Sequence, residues 1–169
     1  CAYPSPDVEN GKTQSVVTAD EANPFAAPEG YASFYISHYG RHGSRWMPND
    51  SRYVWVNQHF ADNSNLTPLG KKVKKLLMRV WDNARGNGGK LSRLGELQHR
   101  GIADRMFHSF PQIFAPGNHV QARSSVVDRC AKSMLAFTDE LRQLQPGLDL
   151  EVKTDSADMD WIAYTSPEV

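Results

Sequence analysis

The stretch from Phe34 to Arg45, reading FYISHYGRHGSR, constrains this chain more than any other. It begins with aromatic and β-branched residues, which predict a buried strand over residues 32–38. Gly40 and Gly43 then break the run around an Arg-His pair, with Arg45 three residues beyond His42. A strand that ends in such a turn suits an open α/β sheet, where ligands bind in the crevice beyond the strand ends.

The residue types suggest a chemistry. Arg41 and Arg45 flank one imidazole, and guanidinium forks match the oxygens of a phosphate in bidentate fashion. An imidazole held between them can attack phosphorus and carry the phosphoryl group covalently. Gly43 lets the backbone approach an anion closely. The competing reading is an ordinary basic turn whose histidine is satisfied by hydrogen bonds.

Arg41-His42-Gly43-Ser44-Arg45 resembles the signature of the histidine acid phosphatases. They are the larger branch of the histidine phosphatase superfamily, which includes phytases and multiple inositol polyphosphate phosphatases. The family pattern is R-H-G-x-R-x-P, and here Pro48 stands one residue late. Ser44 separates the chain from the mutase-like branch, which resembles R-H-G-E or R-H-G-Q. Leu91 to Gln98 is similar to the family's L-T-x-x-G-x-x-Q segment, with Ser92 in place of Thr. Arg123 to Ser133 resembles its R-S-x-x-x-x-R-x-x-x-S stretch. The three segments occur in the family's order.

That resemblance implies an α/β fold, part of a mostly parallel sheet flanked by helices. It implies phosphomonoester hydrolysis through phosphohistidine, with His42 as nucleophile and Arg41, Arg45 and Arg129 binding the phosphate. Arg123 and Ser44 would support them, with no metal or cofactor. The substrate class would be small phosphate esters, inositol polyphosphates such as phytate above all. The family also needs a second histidine and a proton donor in a later motif, and no histidine follows His119. The expectation is therefore an amino-terminal portion of the phosphatase domain over residues 31–169, after an extended leader over residues 1–30. The remaining strands, a helical cap domain and the acid would come from a missing carboxyl-terminal part or a second chain. Two other readings stay open. One is a non-catalytic phosphate-binding module, and the other is a mutase of the smaller branch, which Ser44 disfavours.

Charge narrows the partners. Lys plus Arg and Asp plus Glu are 19 each, so no global field argues for nucleic acid or a membrane surface. The six histidines lack partners at metal-ligand spacing. No apolar run approaches the ~18 residues of a membrane span. Cys1 followed by Ala2 and a polar segment resembles a bacterial lipoprotein after signal cleavage, and an arbitrary start is the alternative. A lipid anchor at Cys1 would make the protein periplasmic, outer-membrane-anchored or secreted. Cys130 reads as a small apolar group on a helix.

Periodicity supplies the remaining elements. A short helical turn is expected near Thr18–Glu21, and residues 53–56 fit a short strand or a helical turn. Thr67-Pro68 predicts a cap and first turn, with a helix over residues 68–84. Its polar face holds Lys71, Lys72, Lys74, Lys75 and Arg79, either a basic rim for polyphosphates or a solvated face. Ser92 predicts the cap of a second helix whose apolar face is Leu94, Leu97, Ala103, Met106, Phe107 and Phe110. His99 on that helix is either near the pocket or structural. A strand is expected to end at Arg123. Ser125 with Asp128 then predicts a capping-box start to a third helix, with Val126, Val127, Cys130, Met134, Leu135, Phe137, Leu141 and Leu144 facing the core. That helix should stop near Pro146-Gly147, and alternation over residues 150–154 predicts a half-buried strand.

Overall fold

The computed structural model describes residues 27–162. The chain divides into two units, Cys1–Ala32 and Ser33–Val169. In the first, Tyr31 N–H donates to the Pro28 carbonyl across Gly30, whose φ is 83°. Cys1 and the helical turn expected at Thr18–Glu21 lie outside the described residues.

The second unit is α/β, and its centre is a β-α-β turn. Strand β1 (His119–Ser124) leads through helix α4 (Asp128–Leu144) into β2 (Asp149–Thr154). The two strands pair in parallel, Arg123 opposite Lys153. Both show the alternation expected of a strand with one wet face: Val120, Ala122, Leu150 and Val152 are half-buried between exposed neighbours. Preceding them come α1 (Ser51–Gln58), α2 (Pro68–Ala84) and α3 (Arg93–Ser109), and α5 (Met159–Ile162) follows a single 3₁₀ turn. The core lies between α3 and α4. Ala103, Phe114 and Leu141 are buried there, with Ile36, Met106, Phe107, Phe110 and Phe137 packed around them. Leu141 is fully enclosed, so truncating it to Ala should cost about 2–5 kcal/mol.

The caps explain where two of the helices start. Thr67 Oγ1 accepts the Gly70 N–H ahead of Pro68, so α2 opens where the sequence indicates. Ser92 Oγ does the same for α3 by accepting the Gly95 N–H. Residues 53–56 are helical, inside α1, and Tyr53 meets Trp81 of α2 with ring centroids 6.2 Å apart.

Three expectations are corrected. Residues 32–38 do not form a strand: β1 and β2 pair only with each other, so the segment has no ladder partner among the described residues. Phe34 and Tyr35 are in water, at 92% and 72% exposure, while Ile36 packs against the core and His38 stacks on Phe137 with ring centroids 6.0 Å apart. Ser125 does not cap α4. Ser124 is paired with Thr154 as the last rung of the sheet, so the backbone stays extended and the helix begins after Val127 with no side-chain cap. Leu94, Leu97, Val126 and Leu135 are exposed rather than in the core. On α2 only Ala84 is buried, while Leu69, Leu76 and Val80 face solvent. Among the described residues no helix is long and apolar enough to cross a membrane.

Candidate functional site

The loop of residues 41–47 is held from below by one face of α3. Ser92, Gly95, Gln98 and His99 recur at helical spacing, so they share that face. Each meets the loop backbone. Ser92 donates to the Ser44 carbonyl from both N (2.9 Å) and Oγ (2.7 Å). Gln98 Oε1 accepts the Ser44 N–H at 2.9 Å. His99 Nε2 donates to the Arg41 carbonyl at 3.2 Å. Gly95 and Gly43 lie so close that a Cβ on either would collide with the other segment's backbone, Gly95 O in one direction and Ser44 O in the other.

A second grip comes from α4. Ser133, 2% exposed, accepts the Gly43 N–H at 3.0 Å and donates to the Arg129 carbonyl at 2.7 Å. Farther along, Arg45 bridges Leu91, and Trp46 N–H donates to the Lys90 carbonyl. The loop amides at Gly43 and Ser44 are thus consumed by side chains. They cannot also form an anion nest, so any anion entering the cleft would meet side chains instead.

The loop walls an open cleft of about 660 Å³, lined by Arg41 to Met47, Tyr53 and Gln98. Among the described residues its lining contains no carboxylate. Inside it, His42 Nδ1 lies 2.8 Å from the Gly43 carbonyl. A carbonyl can only accept, so Nδ1 carries a proton, and in the neutral imidazole the lone pair is on Nε2.

His99 is the other titratable group that matters. It is buried, and burial holds its pKa below the ordinary imidazole value. The hydrogen bond to the Arg41 carbonyl opposes that shift, while His38 and His42 reinforce it. His99 therefore remains a neutral donor to the loop.

The sequence-predicted site residues separate. Arg41, His42, Ser44 and Arg45 come together in the cleft wall. Arg45 spends one N–H on the Trp46 carbonyl at 2.9 Å. Arg129 is not in the lining, and its link to the loop runs through its own carbonyl and Ser133. Its Nε is buried without a hydrogen-bond partner. Arg123 is elsewhere, bound to Asp158 at 2.9 Å and to Glu151 at 3.5 Å, and so is already neutralised by acids. Among the described residues none of Arg41, Arg45 and Arg129 has such a partner.

Ser133, Tyr53 and the contact between Gly43 and Gly95 had no assigned role in the sequence reading. The signal for part of it was there: small and polar residues at 92, 95, 98 and 99 make a stripe too hydrophilic for a core face. Lys74 leaves the basic row of α2, since its Nζ is bound to Ala61 O and Asn63 Oδ1, both at 2.9 Å. Among the described residues no group of three His, Cys, Asp or Glu could hold a metal ion. No protein-family model matches the sequence, and a search of curated proteins finds no match.

Proposed function

We propose that this chain carries the phosphate-binding half of a histidine acid phosphatase-like site and that His42 accepts a phosphoryl group from a phosphomonoester. The observation that carries this reading is the His42 hydrogen bond to the Gly43 carbonyl, which in the neutral imidazole places the lone pair on Nε2, in a cleft whose lining, among the described residues, holds two guanidinium groups and no acid. Nε2 would attack phosphorus as the ester oxygen leaves, giving phosphohistidine and an alkoxide that must be protonated. Water would then attack the phosphohistidine and release inorganic phosphate. Arg41 and Arg45 would bind the equatorial oxygens and stabilise the charge that builds up on them.

Arg129 belongs to the proposal through its buried, unpartnered Nε, a donor without an acceptor on the helix that also anchors Gly43. Such an atom costs about 1–3 kcal/mol unless something accepts from it. Inositol polyphosphates suit the site because α1, which contributes Tyr53 to the cleft, packs on α2 with its exposed Lys71, Lys72, Lys75 and Arg79. The experiment is hydrolysis of a chromogenic phosphomonoester and of phytate by the protein and by its His42→Ala variant. The reading expects turnover to fall by several orders of magnitude in the variant. Activity that survives the substitution would sink it.

A non-catalytic phosphate-binding module is favoured by one specific observation. Among the described residues the cleft lining offers no carboxylate to protonate a leaving alcohol. General acid catalysis contributes about 10²–10⁴-fold, so binding without turnover is the outcome expected of this reading. Saturable phosphate binding with no hydrolysis would select it.

A further inference from the structure

Gln98 projects from α3 into the lip of the same cleft, and its orientation is fixed. The Ser44 N–H can only donate, so the Gln98 atom at 2.9 Å is the carbonyl Oε1. The amide nitrogen of Gln98 therefore faces away from that bond. Among the described residues its two N–H groups have no protein partner, and the residue is exposed. The wall they stand on is the one that holds Arg41, His42 and Arg45.

We infer that Gln98 is a substrate-binding residue. Its Nε2 donates to an oxygen of the phosphate bound beside His42, while its Oε1 holds Ser44. This rests on the phosphate reading above. One side chain then joins the two tasks, since the amide that positions the loop is the one that senses the anion. A neutral donor suits this place. It adds a hydrogen bond to the anion without adding positive charge near His42.

The conservative variant separates the two tasks. Gln98→Glu keeps an acceptor for the Ser44 N–H but replaces the donor with a negative charge. Gln98→Met removes both. The measurement is an NMR titration of the protein with inorganic phosphate, following the Gln98 side-chain amide protons, the Ser44 amide and the His42 ring. In the wild type the Gln98 amide protons should shift and saturate together with the His42 ring. In Gln98→Glu the Ser44 amide should stay where it is, while phosphate affinity falls by about tenfold or more. Gln98→Met should both weaken binding and move the Ser44 amide. If the His42 ring responds but the Gln98 protons do not, or Gln98→Glu binds like the wild type, Gln98 only supports the loop and the inference is overturned. If no signal in the cleft responds to phosphate, the phosphate reading itself is overturned along with it.

Discussion

Residues 33–40 and residues 41–46 are adjacent in sequence and opposite in surroundings. In the first segment Phe34, Tyr35 and Tyr39 stand in water, Ile36 and the ring of His38 touch the core side, and the Tyr39 hydroxyl donates to the Ile162 carbonyl. In the second, backbone groups of Arg41, Gly43, Ser44 and Trp46 are all taken up by α3, α4 or the turn before α3. The apolar run that looked like the scaffold of the loop contributes little to it. The loop is positioned by the polar faces of two helices. Reactive side chains held to about 0.5 Å need that kind of support.

The comparison breaks most visibly at the glycines. Gly43→Ala or Gly95→Ala would push a methyl group into backbone, where no rotamer change relieves it. Either should cost about 1–3 kcal/mol or more. Displacing His42 by about 1 Å should lower any turnover by roughly 100-fold. Gly40→Ala, on the other side of the divide, meets only the movable His38 ring at 3.0 Å and should be mild. Thermal melts of the three variants, with activity measured in parallel, would expose a loop that is looser than described.

Ser133→Ala comes next. It removes the acceptor for the Gly43 N–H and leaves that amide without a partner. A loss of about 1–3 kcal/mol is expected in urea unfolding. A change near zero would mean that α4 does not hold the loop.

A smaller effect is tied to pH. The folded pKa of His99 lies below its value of 6.5 in an unfolded chain, so the unfolded chain takes up the proton first as pH falls. Stability from this residue is complete above about 6.5 and declines as pH drops from there through the folded value. His99→Gln, which keeps an N–H for the Arg41 carbonyl, should flatten that part of the stability curve. An unchanged slope between neutral and mildly acid pH would assign it to other groups. At the far end of the scale, Phe34→Ser should change stability by no more than about 0.5 kcal/mol, because the ring is 92% exposed. A large loss would show that the aromatic segment is covered after all.

Elements with local signals were legible in the chain. Thr67-Pro68 and Ser92 marked helix starts because a cap is decided within one turn, and the alternation over residues 150–154 marked β2 because a strand with one covered face buries every second residue. The strand expected over residues 32–38 failed because strand formation depends on a partner, which no run of aromatics can reveal. The Ser125 cap failed for a related reason: pairing of Ser124 with Thr154 keeps the chain extended past the point where a local rule would start the helix. Within the site, Arg41, His42, Ser44 and Arg45 were legible because they are contiguous. Ser133 and the Gly43–Gly95 contact were not, since their role depends on segments about 50 to 90 residues apart meeting at one loop.

The claim that His42 is a preoriented nucleophile is tested most directly by trapping its product. The protein would be mixed with a chromogenic phosphomonoester, quenched in base to preserve phosphoramidates, and digested for mass mapping beside its His42→Ala variant. A single phosphoryl group on His42 of the wild type, absent from the variant, is the result this account predicts. Phosphate released with no phosphoryl group on His42 at any quench time, and release continuing in the variant, would contradict it.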